Sequence, residues 1–106
     1  MAKLFAYGTL REKDIQENIF GRSLTGTPET LLGYSVQKIE IEEEFGMETY
    51  PIITPTNDAI DSITGIVYEL SQKDLELADT YEGKYYQRIE VQLQSKEKVW
   101  VYSAVK

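Results

Sequence analysis

The segment Leu70-Ser71-Gln72-Lys73-Asp74-Leu75 constrains the fold more than any other, because it fixes the start of a helix to one residue. Ser71 carries the short hydroxyl of an N-cap, and Asp74 stands at the third helical position of a capping-box-like arrangement. Leu70 and Leu75 occupy the two positions of a hydrophobic staple. The helix runs to Tyr81, with Leu75, Ala78 and Glu82 on one face, Leu77 and Tyr81 beside it, and Gly83 as its stop. Before it, Ile63 to Leu70 alternates as a strand, with Ile63, Gly65, Val67 and Glu69 opposite Thr64, Ile66, Tyr68 and Leu70. After it come two strands, about Tyr85 to Gln94 and Val99 to Val105, joined by the polar turn Ser95-Lys96-Glu97-Lys98.

The N-terminal half is read with the same signals. Leu4 to Tyr7 is a short apolar strand that breaks at Gly8 and passes through Thr9 into a charged segment. Glu12 to Phe20 forms a short helix with Ile15 and Ile19 on one face and Gly21 as its stop. Thr30 to Ile41 is a strand or bent hairpin arm, with Leu32, Tyr34, Val36 and Lys38 on one side and a bulge or tight bend at Gly33. The run Glu40, Glu42, Glu43, Glu44 has the composition to attract a cation, but is read as a solvated edge strand or loop protected from pairing by its charge. Prolines bracket Tyr50-Pro51-Ile52-Ile53-Thr54-Pro55 and confine it to an edge or irregular strand. The expected fold is α+β with strands dominant, a small, half-open mixed β-barrel with one or two flanking helices. No linker or repeat divides residues 1–106, so a single domain is expected.

Composition limits the chemistry. The chain has no cysteine and no histidine, which removes disulfides, thiolate nucleophiles, Ser-His-Asp catalysis and His- or Cys-ligated zinc. Acid–base work falls to Asp, Glu, Lys or Tyr. Eleven Lys and Arg against eighteen Asp and Glu give a net charge of −7, a surface that repels nucleic acid and anionic membranes. The N-terminus leads straight into a strand without a signal-like apolar region, and no apolar run is long enough to span a bilayer. A cytoplasmic protein without membrane or nucleic-acid partners is expected, as a monomer or weak homodimer. Eight tyrosines are many for this length and suit both cores and ligand pockets.

Two features stand out chemically. The strand–glycine–helix junction at Tyr7-Gly8-Thr9-Leu10 leaves backbone N–H groups aimed into one space, which suits an anionic or carbonyl oxygen. Glu82 lies in the last turn of its helix, where the negative end of the dipole disfavours a carboxylate and any burial raises its pKa further. A helix built only for stability places Lys or Arg there; the alternative is that Glu82 points into water. On the next strand Tyr86 and Arg88 share a face. Tyr86 is core or pocket wall. Arg88 has three candidate partners: Glu82, Asp79 and a substrate carboxylate. Tyr7 reads as a packed aromatic shaping the turn.

In order, Phe5-Ala6-Tyr7-Gly8-Thr9-Leu10-Arg11, Tyr50-Pro51, Gly65-Ile66-Val67-Tyr68-Glu69-Leu70, Leu77-Ala78-Asp79-Thr80-Tyr81-Glu82-Gly83 and Tyr86-Gln87-Arg88 resemble the gamma-glutamylcyclotransferase-like family. That family includes the gamma-glutamylamine cyclotransferases and the avirulence-induced-gene-like proteins. The resemblance implies a cavity between the Tyr-Gly-Thr-Leu loop and the glutamate, and release of 5-oxoproline from a gamma-glutamyl amide. It implies Glu82 as the catalytic acid–base, Tyr7, Gly8, Thr9 and Leu10 as the substrate-binding loop, and Tyr86 and Arg88 as pocket or structural support. No metal and no cofactor are needed for such a reaction. Many members carry Asn or His soon after the loop, whereas this chain has Arg11-Glu12-Lys13-Asp14-Ile15, which leaves the leaving group open. Two other readings stand beside the enzyme: a non-catalytic small-metabolite-binding module on the same fold, and an interaction protein working through the acidic face of Glu40 to Glu44.

Overall fold

A computed structural model describes residues 2–43 and 46–105. The strands are β1 (Ala2–Ala6), β2 (Gly26–Leu32), β3 (Tyr34–Glu43), β4 (Gly46–Pro55), β5 (Ser62–Leu70), β6 (Tyr86–Gln92) and β7 (Lys98–Ala104). The helices are α1 (Lys13–Phe20) and α2 (Gln72–Glu82), with a 3₁₀ turn at Thr9–Arg11.

Strand β1 is the middle of a five-stranded sheet of order β2-β5-β1-β7-β6. It runs antiparallel to β5, from Ala2 opposite Leu70 to Ala6 opposite Ile66, and parallel to β7, with Leu4 opposite Trp100. A central strand covered on both faces has to be apolar on both, and Leu4, Phe5 and Ala6 are all buried. Phe5 joins one core with Leu31, Val67, Val99 and Val101; Leu4 and Ala6 join the other, with Leu70, Leu75, Ala78 and Tyr102, which the helices cover. Gly65 on β5 is required by this close approach, because a Cβ there would lie 2.6 Å from the Ala6 carbonyl oxygen and 2.7 Å from the Phe5 ring.

The α+β class and mixed sheet are as the sequence predicts, but the described strands do not close into a barrel. The sheet curls until its outer strands meet at one corner, where Gln94 N–H donates to the Thr30 carbonyl at 2.9 Å, and no ladder forms between β2 and β6. The reason lies at Gly33, which adopts φ +83°. The strand predicted over Thr30 to Ile41 splits there: β2 stays on the edge of the main sheet, while β3 turns away to pair only with β4. Gly33 N–H donates to Asp61 O at 2.8 Å and Gly33 O accepts from Thr56 N–H at 2.9 Å, fixing the bend. In a two-stranded ribbon every strand is an edge, so Pro51 and Pro55 sit within β4 without breaking a second ladder. This strand therefore extends well before Tyr50. Likewise Pro28 lies within the edge strand β2, which starts at Gly26 rather than Thr30. Of the acidic run, Glu40 is exposed on β3, and Glu44 lies outside the described residues.

Helix α2 begins as its sequence dictates. Ser71 Oγ accepts from Asp74 N–H at 3.1 Å, and Asp74 Oδ2 accepts from Ser71 N–H at 3.1 Å. Asp74 also receives the Arg22 guanidinium, at 2.8 and 3.3 Å, which ties the end of α1 to the start of α2. Helix α1 ends at Gly21 in the left-handed conformation (φ +74°), as its sequence predicts. No described helix is long and apolar enough to cross a membrane.

The Arg22 hydrogen bonds and those of Ser71 hold the Asp74 carboxyl at about 2, below its ordinary 3.8. A depressed carboxyl stabilises the fold fully above its unfolded value, and that contribution is lost as pH falls toward the folded value. Asp74→Ala is expected to lower the unfolding free energy at pH 7 by about 1–2 kcal/mol, through loss of the carboxylate half of the capping box and of the Arg22 pair. In urea titrations the difference from the unsubstituted chain should shrink as pH falls from about 4 toward 2.

Candidate active site

The candidate site forms where the C-terminal end of β1 meets the C-terminal end of α2. Beyond Ala6 the chain runs through Tyr7 and Gly8 into the 3₁₀ turn. Arg11 N–H donates to Gly8 O at 3.2 Å and Glu12 N–H to Thr9 O at 2.9 Å, closing the turn. The N–H groups of Gly8, Thr9 and Leu10 precede these bonds and have no acceptor within the turn, and no side chain caps it. The turn is anchored from beneath. Leu10 is buried, and the buried Gln16 donates from Nε2 to Leu10 O at 2.8 Å while its Oε1 accepts from Leu24 N–H at 2.8 Å. Gln16 is legible in the sequence only as a polar residue on a helix whose neighbours Ile15 and Ile19 face the core.

Above the turn lies a cavity of about 370 Å³. Phe5 to Leu10 form one wall, Tyr81 and Glu82 of α2 another, Tyr86 and Tyr102 a third, and Thr49 and Pro51 of β4 the rim. All the residues expected at a substrate site (Tyr7, Gly8, Thr9, Leu10, Glu82 and Tyr86) therefore line one space. Arg88 does not. It pairs with Asp79, Nε to Oδ1 at 2.7 Å and Nη2 to Oδ2 at 3.1 Å, and stacks 4.8 Å over the Trp100 ring. Of its three candidate partners the structure selects Asp79.

Glu82 is the last residue of α2, and no basic residue occupies that turn. Burial pushes its carboxyl from 4.5 up to about 7. The cavity is rich in phenols, yet their hydroxyls are engaged elsewhere. Tyr7 donates to the Tyr102 carbonyl at 2.8 Å, Tyr86 to the Pro51 carbonyl at 2.6 Å, and Tyr102 to Asp79 Oδ1 at 2.8 Å. The Tyr81 hydroxyl and Thr9 Oγ1 share a hydrogen bond of 2.6 Å across the cavity mouth. Burial is the main cause that raises the Tyr7 and Tyr102 phenols, and the nearby Glu82 charge adds to it, so both stay protonated at neutral pH. Tyr102 and the Tyr81–Thr9 contact are not foreseen from sequence. The available signal for Tyr102 is a polar-tipped aromatic in an otherwise apolar strand, which needs a buried acceptor.

Chemically, the described lining of the cavity brings together one carboxyl raised by burial, a turn whose leading backbone N–H groups have no acceptor within it, and neutral aromatic walls. A group that takes a proton and returns it works best with a pKa near the operating pH.

A family model described as Gamma-glutamyl cyclotransferase, AIG2-like matches residues 4–106. Among solved structures, an Arabidopsis thaliana protein determined in solution is 28% identical with a TM-score of 0.72; the match covers 98% of this chain and 61% of that one. An uncharacterized Homo sapiens protein is 17% identical with a TM-score of 0.79, covering 99% of this chain and 67% of that one. A structure described as a gamma-glutamyl cyclotransferase is also 17% identical, with a TM-score of 0.75 and the same coverage, 99% and 67%. No curated protein matches. The cavity and its glutamate thus belong to a chain that the family model spans almost end to end, and the chain is a member of the Gamma-glutamyl cyclotransferase, AIG2-like family.

Proposed function

We propose that the chain is a gamma-glutamyl cyclotransferase that releases 5-oxoproline and a free amine or amino acid from a small gamma-glutamyl amide, with Glu82 as general acid–base. The observation that carries this reading is the Glu82 carboxyl, raised to about 7 by burial, in the same cavity as the Tyr7–Leu10 turn.

The substrate supplies its own nucleophile, since its α-amine reaches the γ-carbonyl and closes a five-membered ring. Proximity within one molecule already lowers that barrier. The ionised Glu82 takes a proton from the α-ammonium. The amine nitrogen then attacks the γ-carbonyl carbon, and the carbonyl electron pair moves onto oxygen. The N–H groups of Gly8, Thr9 and Leu10 are suited to hold that oxyanion or the substrate's α-carboxylate. Protonated Glu82 returns its proton to the leaving amine nitrogen as the original amide C–N bond breaks, the ring nitrogen gives up its second proton to the freed amine, which departs as an ammonium, and 5-oxoproline remains. Tyr86 and Tyr7 form the walls, and Arg88 supports them from outside the cavity through Asp79.

Glu82→Gln removes the proton carrier and keeps the shape. It is expected to lower 5-oxoproline release at least roughly 100-fold, the scale of losing a general acid–base. Full turnover by that variant would overturn the assignment. In the unsubstituted protein kcat/KM should rise with pH through about 7, where Glu82 ionises, rather than near 4.5.

The same group has a stability signature of opposite sign to that of Asp74. Its folded value, about 7, lies above its ordinary 4.5, so the fold loses stability as pH rises from about 4.5 to about 7. Glu82→Gln should therefore melt higher than the parent protein at pH 8, with the difference closing by about pH 4, as read by thermal unfolding across pH.

A further inference from the structure

Among the described residues four tyrosines line the cavity with Glu82, and each hydroxyl has a hydrogen-bond partner other than Glu82. Tyr7, just beyond β1, donates to the Tyr102 carbonyl and Tyr86 of β6 to the Pro51 carbonyl. Tyr81 of α2 is bonded to Thr9 of the 3₁₀ turn. Tyr102 of β7 donates to Asp79 at 2.8 Å, and Asp79 stands one helical turn before Glu82 on α2. Of the rim residues on β4, Thr49 and Pro51, neither is charged. Among the described residues, the Arg88 that pairs with Asp79 is held over Trp100. Lys84, two residues beyond Glu82, lies over the Tyr85 ring.

We propose that Asp79 is a positioning residue: by accepting the Tyr102 hydroxyl it keeps that donor off Glu82, so that Glu82, the one carboxylate among the described residues of the cavity, is left for a cationic N–H group of the ligand. Tyr102 needs an acceptor because it is buried, and the last turn of α2 carries two carboxylates, Asp79 and Glu82. A phenol donating to Glu82 would stabilise its charged form. Glu82 would then be a weaker base and already satisfied. The two hydrogen bonds from Arg88 orient Asp79 and hold its oxygens for Tyr102. Where the ligand is a gamma-glutamyl amide, the inference rests on the proposed function, and the N–H group is its α-ammonium.

The test is a ¹³C NMR titration of the Glu82 carboxyl in Asp79→Ala, Tyr102→Phe, the double variant and Asp79→Asn, with kcat/KM against pH alongside. Asp79→Ala frees the Tyr102 hydroxyl, and the Glu82 midpoint should fall by about one pH unit or more. Tyr102→Phe should leave the midpoint at or above the parent value, and the double variant should restore it. Asp79→Asn removes the charge but keeps an accepting oxygen, so its midpoint should stay with the parent. A fall in Asp79→Ala that persists in the double variant would overturn the inference, because the effect would then come from charge or from a released Arg88. An unchanged midpoint in Asp79→Ala would also overturn it. Asp79→Leu takes the place of the alanine variant if that chain does not fold. The titration needs no turnover, so an inactive protein whose midpoints follow this pattern would refute the proposed function and leave the inference standing.

Discussion

The site depends on holding a partly buried carboxylate at the end of a helix. Partial burial of Glu82 disfavours its charge, and no basic residue in the last turn of α2 offsets that. Such a position persists only if the rest of the molecule holds the helix end in place. Leu75 and Ala78 are buried against the sheet. The capping box and the Arg22 pair fix the helix start. The Arg88–Asp79–Tyr102 cluster fixes its last turn to β6 and β7. The stability gained at one end of α2 supports a locally unfavourable group at the other, as expected where a local rule is broken for function.

The second wall follows from β1. As the central strand it is apolar on both faces and packed from both sides, and it delivers the Tyr7–Leu10 turn to one place. Gln16 then grips the turn from below through its Leu10 carbonyl. The free amides of the turn are therefore preorganised, which is what makes fixed donors effective at a developing negative charge. The rim is of another kind. It comes from the β3–β4 ribbon, which leaves the main sheet at Gly33 and is pinned to the cavity by Tyr86 donating to Pro51.

Features encoded within a few residues were legible in the sequence. The Ser71–Asp74 box, the glycine stops at Gly21 and Gly83 and the turn after β1 depend on neighbours in the chain. Features that depend on distant partners were not. Gly33 signalled a bend, but not that β3 would leave the sheet, and the prolines of β4 concealed a long strand because they obstruct only a second ladder. At the site, the motif residues lining the cavity could be named in advance. Arg88 could be narrowed only to three partners, and Tyr102 looked like any aromatic on an alternating strand. Its importance comes from the Asp79 oxygen across the sheet–helix interface, a contact between residues 23 apart in sequence.

The central claim is that this cavity turns over gamma-glutamyl amides. The most direct measurement is 5-oxoproline release by the purified protein from a panel of such amides that differ only in the leaving amine or amino acid. The expected result is stoichiometric 5-oxoproline and free amine from at least one member of the panel. Saturable binding of those compounds with no 5-oxoproline formed over hours would contradict the account and leave a binding module in its place.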